Sequence, residues 1–237
     1  MIIKAVLFDL DDTLYGDFDV CDKLGLQAAG RYAEKATGIP AAKAAEAMHG
    51  GRLQLRETSR DEPESHDRVL FAKLGLEALG VNPIPHAEAM HEAYWDAVLG
   101  HMEIREGVLH LLTRLKAAGV PVGICTNMNA DIQMRKLCRL GLADVCGNLI
   151  TSEEAGRDKP HPEIFRLALR RLGSKAEQTL MVGDSLNHDV RGALAAGLPA
   201  LWLNWKHQPL PMDETEFLTA FTFPDAAAQI MRLCNLQ

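Results

Sequence analysis

Short, almost wholly apolar runs alternate with amphipathic helical patterns along most of the chain, and this alternation is the strongest constraint on its fold. The first run covers residues 2–8 and is apolar apart from Lys4; similar runs recur at residues 120–125, 148–151, 179–182 and 200–203. Runs of this length are typical of strands that are buried on both faces. Strands that alternate with helices form parallel crossover units. The sequence therefore predicts an α/β fold with a doubly wound parallel sheet.

Residues 16–100 interrupt this alternation. They contain no strand-like run, and their patterns predict helices over about 18–35, 41–57, 64–79 and 86–99. The breaks between these helices fall at Gly38-Ile39-Pro40, Asp61-Glu62-Pro63 and Pro83-Ile84-Pro85. We therefore predict an all-helical insert at 16–100 within a core formed by 1–15 and 101–237. A loop that contains Pro209 and Pro211 and a terminal helix near 226–234 are predicted to complete the core.

Composition and charge exclude several classes of protein. The 25 basic and 32 acidic residues give a net charge of −7, which does not fit a partner that is a nucleic-acid polymer. No apolar run approaches the ~20 residues that a membrane-spanning helix requires, so no membrane partner is expected. The five cysteines are scattered and form no C-x-x-C pair, and the first residues leave no room for a secretion signal. These features favour the reducing environment of the cytoplasm.

Polar side chains follow four of the predicted strands, and the carboxyl ends of parallel strands are where ligands bind. These side chains belong to Asp9 and Asp11, then Thr126 and Asn127, then Lys159, and finally Asp184 and Asp189. Two carboxylates ~4 Å apart repel by ~4 kcal/mol at an effective dielectric near 20, so a cation is expected among the aspartates. Oxygen ligands favour Mg²⁺. A hydroxyl, a lysine and the backbone N–H groups that begin a helix form a phosphate site.

These motifs and their order resemble the haloacid dehalogenase superfamily of phosphohydrolases. Asp9-Leu10-Asp11-Asp12-Thr13 is similar to its first motif, Thr126-Asn127 to its second, Lys159-Pro160 to its third, and Gly183-Asp184-Ser185-Leu186-Asn187-His188-Asp189 to its fourth. The helical insert between the first two motifs is similar to the small helical cap, of C1 type, of one subfamily. The resemblance implies a Rossmann-like core with an inserted cap domain.

The resemblance also implies a role for each motif residue. Asp9 would be the nucleophile that forms an aspartyl-phosphate, and Asp11 the acid that protonates the leaving oxygen and then activates water. Mg²⁺ would be held by Asp9, the backbone carbonyl of Asp11 and Asp184, with Asp189 reaching it through water or orienting Lys159. Phosphate would be bound by Thr126, Asn127 and Lys159. Superfamily members that cleave carbon–halogen bonds lack the acid at the position of Asp11, so its presence favours phosphate chemistry.

The expected activity is Mg²⁺-dependent hydrolysis of a small phosphomonoester, nucleotidase-like or sugar-phosphatase-like, by a monomer or homodimer. A phosphomutase of the same superfamily and a phosphate-accepting signalling domain of the receiver type are the alternatives. In the insert, Arg52 and Arg56 lie one helical turn apart and form a candidate contact for an anionic substrate. Alternatively, the two arginines belong to a solvated helix face and contact no substrate.

Overall fold

The computed structural model describes residues 2–60, 62–210 and 216–236. Their contacts divide them into two compact units. One unit contains the described residues up to Gly16 and from Glu103 onward, and the other is Asp17–Met102. The sequence-based boundaries, after residues 15 and 100, lie close to this division.

The first unit is built on one six-stranded parallel sheet. Its strands are β1 (Ala5–Phe8), β2 (Val122–Thr126), β3 (Asn148–Thr151), β4 (Thr179–Gly183), β5 (Ala200–Leu203) and β6 (Leu218–Ala220), in the order β3-β2-β1-β4-β5-β6. Strand β1 lies inside the sheet, where it pairs with β2 and β4, and all four of its residues are buried. This burial explains why the strand is a continuous apolar run. The prediction of a doubly wound α/β fold is confirmed.

Helices cover this sheet. They are α5 (Val108–Ala117), α6 (Ala130–Arg139), α7 (Ser152–Ala155), α8 (Pro162–Leu172), α9 (Gly192–Ala195) and α10 (Phe223–Leu233). Helix α8 buries Ile164, Phe165 and Ala168 in one apolar cluster with Leu7 of β1 and Met181 of β4. The apolar faces of these helices, predicted from the sequence, therefore hold in place the strands whose ends carry the polar motifs.

The second unit contains α1 (Phe18–Thr37), α2 (Ala41–Thr58), α3 (Arg68–Ala78) and α4 (Ala87–His101). Helices α2 and α3 approach each other closely at Gly51, where a Cβ atom would overlap the backbone oxygen of Phe71. Among the described residues, no helix of either unit is both long enough and apolar enough for a membrane crossing.

Two sequence-based predictions were wrong in detail. The helix predicted over 64–79 is a short 3₁₀ turn, Pro63–His66, followed by α3, because the Asp67 side chain caps α3 by accepting from the N–H of Val69 at 2.8 Å. The region after β5 was predicted as loop, but it contains β6, which is only three residues long and has no readable alternation. Asp61 and Pro211, which fall in predicted breaks, lie outside the described residues.

Candidate active site

Asp9 is the first residue after β1, and its position is set by the sheet. Its backbone N–H donates to the Val182 carbonyl of β4 at 2.9 Å, so the strand pairing continues to this residue. One carboxylate oxygen, Oδ2, accepts from the Thr13 hydroxyl at 3.0 Å. The Thr13 hydroxyl also accepts from the N–H of Asp184 at 3.1 Å. Thr13 therefore ties the end of β1 to the end of β4.

Lys159 joins the ends of β1 and β2 to the helical turn after β4 through a single buried ammonium group. Its Nζ donates to Asp9 Oδ1 at 2.7 Å, to the Cys125 carbonyl at 2.7 Å and to Asp189 Oδ1 at 2.6 Å. Burial opposes the charge, but the carboxylates of Asp189 and Asp9 outweigh it and raise the pKa of Lys159. The ammonium uses all three of its donors and stays charged.

Asp189 holds the ammonium group of Lys159 through its Oδ1 and is itself held in place by the backbone. It lies in a π-helical turn, Leu186–Arg191, and its Oδ2 accepts from the backbone N–H of Ser185 at 3.0 Å. The carboxylate packs directly on the Cα of Gly183, where any Cβ atom would overlap it. Of the two roles that the family resemblance implies for Asp189, these contacts favour the orientation of Lys159.

Three carboxylates crowd this edge of the sheet. Asp9, Asp184 and Asp189 each offer an oxygen that lies within 4.8 Å of the others. Burial raises the pKa of Asp184 to about 8, and the carboxylates of Asp9, Asp189 and Asp12 act in the same direction while Lys206 opposes them. Burial likewise raises the pKa of Asp9 to about 7, against the influence of Lys159. A largely buried carboxylate set of this kind fits a divalent cation with oxygen ligands.

Thr126 is the last residue of β2 and Asn127 follows it, so both lie at the same edge of the sheet. The Asn127 side chain clamps the backbone of Lys159: its Nδ2 donates to the Lys159 carbonyl at 2.9 Å, and its Oδ1 accepts from the Lys159 N–H at 2.6 Å. The Thr126 hydroxyl accepts from Gln133 Nε2 at 2.6 Å. These side chains surround a cavity of about 140 Å³. It is lined by Asp9, Asp11, Thr126, Asn127, Lys159, Asp184, Ser185, His188 and Asp189.

The structure thus brings together all seven motif residues that the sequence placed at the strand ends. The family model of the haloacid dehalogenase-like hydrolases matches residues 3–197, which include every one of them. The chain belongs to this family. The predictions of the superfamily and of a hydrolase are confirmed by this match.

Individual relatives of this hydrolase agree with the family match. It is 40% identical over 196 residues to a ribulose-1,5-bisphosphate 5-phosphatase of Halopiger xanaduensis, with 82% of each chain covered. It is 34% identical over 198 residues to a glyceraldehyde 3-phosphate phosphatase of Methanopyrus kandleri, covering 83% of this chain and 82% of that one. Among solved structures, it resembles the HAD phosphatase of Thermococcus onnurineus with a TM-score of 0.74 and 26% identity, over 96% of this chain and 98% of the other.

The carboxylate of Asp11 has polar partners in this family member that the sequence analysis did not identify. The Lys136 ammonium and the Tyr15 hydroxyl both donate to Asp11 Oδ1, and Gln133 Nε2 donates to Oδ2 at 2.9 Å. Burial acts to raise the pKa of Asp11, but Lys136, Tyr15 and Gln133 outweigh it and lower that pKa below its usual value. A sequence signal for two of these residues exists, because Gln133 and Lys136 are polar positions on the otherwise apolar face of α6.

The two arginines predicted to contact substrate lie in the Asp17–Met102 unit and differ from each other. Arg52 Nη1 forms an ion pair with Asp22 Oδ2 at 3.0 Å, and the Tyr94 hydroxyl donates to the other oxygen of that carboxylate. Arg56 has no ion-pair partner among the described residues. Burial lowers the pKa of Arg56, and the charges of Arg52 and Arg68 lower it further. An excess of positive charge therefore remains at Arg56.

Proposed function

We propose that this hydrolase is a Mg²⁺-dependent phosphatase that cleaves a small phosphomonoester through an aspartyl-phosphate on Asp9. The observation that carries the proposal is the buried carboxylate of Asp9, which Lys159 and Thr13 hold at the wall of a small cavity shared with Asp11 and Thr126. A fixed carboxylate, a second carboxylate and a cation at one cavity are the parts that covalent phosphoryl transfer needs.

In the first half-reaction, a carboxylate oxygen of Asp9 bonds to phosphorus while the bond from phosphorus to the leaving oxygen breaks. Asp11 gives its proton to that leaving oxygen. In the second half-reaction, Asp11 takes a proton from water, whose oxygen bonds to phosphorus while the Asp9 carboxylate leaves with the bonding pair. The donors around Asp11 favour its ionised form, which suits the second step. A phosphate dianion bound beside it favours the protonated form, which suits the first.

Asp9 and Asp184, with the backbone carbonyl of Asp11, are the groups that would hold Mg²⁺. When bound, the ion offsets the negative charge of the substrate phosphate and of the carboxylates. Asp189 is already engaged by Lys159 and Ser185, so it acts on the metal site through Lys159.

The crowded carboxylates predict how pH and Mg²⁺ affect stability. Because the pKa values of Asp9 and Asp184 are raised to about 7 and about 8, the native protein binds protons more tightly than the unfolded chain. Without metal, the free energy of unfolding should therefore fall as pH rises from about 4 to about 8. Mg²⁺ replaces those protons, so thermal melts should show a larger stabilisation by Mg²⁺ at about pH 8 than at about pH 5.5, on the order of 2 kcal/mol.

Asp184→Asn supplies the matched variant for this experiment. It removes one of the like charges, so the metal-free variant should be more stable than the wild type at about pH 8 and should gain little from Mg²⁺. Asp144→Asn, which changes an exposed carboxylate outside the site, should keep the wild-type response. Equal stabilisation by Mg²⁺ at both pH values, or in Asp184→Asn, would contradict the metal assignment.

The names of the two curated relatives support a phosphorylated sugar as the substrate class. Both act on small phosphorylated carbohydrates, and one of these is a bisphosphate. We propose that Arg52 and Arg56 contribute to selection of a substrate with a second anionic group. Arg56 is the cleaner test of the two, because removal of Arg52 would leave the half-buried Asp22 carboxylate without its ion pair.

Arg56→Ala is expected to raise KM for a sugar bisphosphate about ten-fold, the scale of one hydrogen bond to a charged group. KM for p-nitrophenyl phosphate, which has no second anionic group, should change little. Arg31→Ala, an exposed arginine on α1, serves as the control. If Arg56→Ala changes KM equally for both substrates, Arg56 does not bind a second anionic group.

A panel of sugar phosphates and nucleotides, assayed for free phosphate with Mg²⁺ and with a chelator, tests the proposed activity as a whole. Repeated turnover with release of phosphate is the expected result. An isomerised phosphate ester without free phosphate would identify a phosphomutase, and at most one equivalent of phosphate per chain would identify a receiver-type signalling domain.

A further inference from the structure

Helix α6 carries a lysine where its pattern calls for an apolar side chain. Its inward face buries Ile132, Gln133, Lys136 and Leu137, and Lys136 has an exposed fraction of 0%. A buried ammonium group is costly unless a charged partner and hydrogen bonds compensate it. An apolar side chain at this buried position would avoid the cost of desolvating a charge, so burial alone does not account for the lysine.

The partner of Lys136 is the carboxylate assigned to acid–base catalysis. Its Nζ donates to Asp11 Oδ1, where the Tyr15 hydroxyl also donates, and Gln133 donates to Oδ2. Both oxygens of Asp11 are therefore held, from two directions, by side chains of α6 and of the loop after β1. Asp11 lies beyond the end of its strand, so its own backbone does not impose this orientation on the carboxylate.

Gln133 connects the same carboxylate to the phosphate site. Its Nε2 has two hydrogens: one is donated to Asp11 Oδ2 at 2.9 Å and the other to Thr126 Oγ1 at 2.6 Å. The opposite orientation of the amide would place its oxygen against an ionised carboxylate, which is unfavourable. Because the Thr126 hydroxyl accepts from Gln133, its own hydrogen is available to a phosphate oxygen.

We propose that Lys136 and Gln133 are positioning residues for phosphoryl transfer, Lys136 by orienting the Asp11 carboxylate and Gln133 by coupling Asp11 to the hydroxyl of Thr126. This inference rests on the proposed function, in which Asp11 protonates the leaving oxygen. The two residues lie three positions apart on one helix, so a single element aligns the acid with the group that receives the phosphate.

The rate loss caused by Lys136→Met should therefore depend on the leaving group of the substrate. It is expected to slow hydrolysis of an alkyl phosphate roughly ten-fold to a hundred-fold, within the range that general acid–base catalysis supplies. Hydrolysis of p-nitrophenyl phosphate, whose alcohol leaves readily as an anion, should slow much less in its phosphorylation step. Lys116→Met, which removes a lysine bonded to the Asp144 carbonyl outside the site, should slow neither reaction.

The double variant Asp11→Asn/Lys136→Met separates positioning from a merely structural role. If Lys136 acts through Asp11, the double variant should be no slower than Asp11→Asn alone. This comparison remains available if Lys136→Met does not fold, because the double variant removes both charges of the pair. Additive losses, or a loss in Lys136→Met that is equal for alkyl and aryl esters, would overturn the role of Lys136.

Gln133→Met tests the second half of the inference, with inorganic phosphate as the probe. Phosphate should inhibit this variant several-fold more weakly than the wild type, because the Thr126 hydroxyl loses its orienting donor. Phosphate inhibition of Lys136→Met should be unchanged. Unchanged inhibition of Gln133→Met would overturn the coupling. An Asp9→Asn variant that still turns over would instead refute the proposed function itself, so the two failures are distinguishable.

Discussion

Asp9→Asn should abolish turnover of every phosphomonoester, whatever its alcohol. In the proposed mechanism, Asp9 supplies the oxygen that bonds to phosphorus, and an amide is too weak a nucleophile to replace it. The loss should reach about 10⁴-fold or more, the scale seen when a covalent nucleophile is removed. Steady-state assays with an alkyl and an aryl ester measure it, and mass spectrometry of acid-quenched enzyme detects the aspartyl-phosphate in the wild type alone.

Asp12→Asn is the matched control for this variant. Asp12 lies in the same loop with a φ of 60°, a backbone conformation that asparagine also adopts readily. The control should retain most of the activity. Near-wild-type turnover by Asp9→Asn would move the nucleophile to another residue and would contradict the proposed mechanism.

Asp11→Asn should slow the enzyme in a way that depends on the leaving group. An alkyl alcohol leaves poorly as an alkoxide, so loss of the acid should cost ~10²–10⁴-fold in phosphorylation by a sugar phosphate. p-Nitrophenolate needs little help from a proton, so phosphorylation by p-nitrophenyl phosphate should remain fast. In the proposed mechanism Asp11 also activates water, so the phosphorylated Asp9 should then accumulate in the variant.

Rapid-quench kinetics can measure both consequences in one variant. The aryl ester should give a burst of p-nitrophenol close to one equivalent, followed by slow turnover. Thermal melting must first show that the variant is folded, because the substitution removes the Asp11 carboxylate that pairs with the buried Lys136. Identical slowing for alkyl and aryl esters, with no burst, would mean that Asp11 only shapes the site and is not the acid and base of the reaction.

The sequence predicted five of the six strands described in the core, and the polar motif residues do lie together at one edge of the sheet, for a physical reason. Buried parallel strands need apolar runs, and their ends must carry whatever chemistry the sheet supports. Asp9, Thr126 and Asp184 could therefore be located from the strand boundaries alone. The family resemblance then implied a chemical role for each of these residues, which their place in the fold alone could not do.

What the sequence did not predict depends on side chains that meet from distant elements. Lys136 and Gln133 reach Asp11 from the middle of a helix, more than a hundred positions along the chain, and no strand boundary marks them. The clamp of Asn127 on the Lys159 backbone needs the three-dimensional path of a loop. Strand β6 was missed because only Ala220 of its three residues is buried.

The position of β1 inside the sheet also determines the order in which the protein can assemble during synthesis. Its two neighbours, β2 and β4, are made only after the whole Asp17–Met102 unit has been synthesised, and β4 also follows more than half of the first unit. The helices of Asp17–Met102 make local contacts, and local contacts form early. Until β2 and β4 are made, the apolar strand that precedes Asp9, the proposed nucleophile, has no partner, and we expect the chain to be most prone to aggregation in this interval.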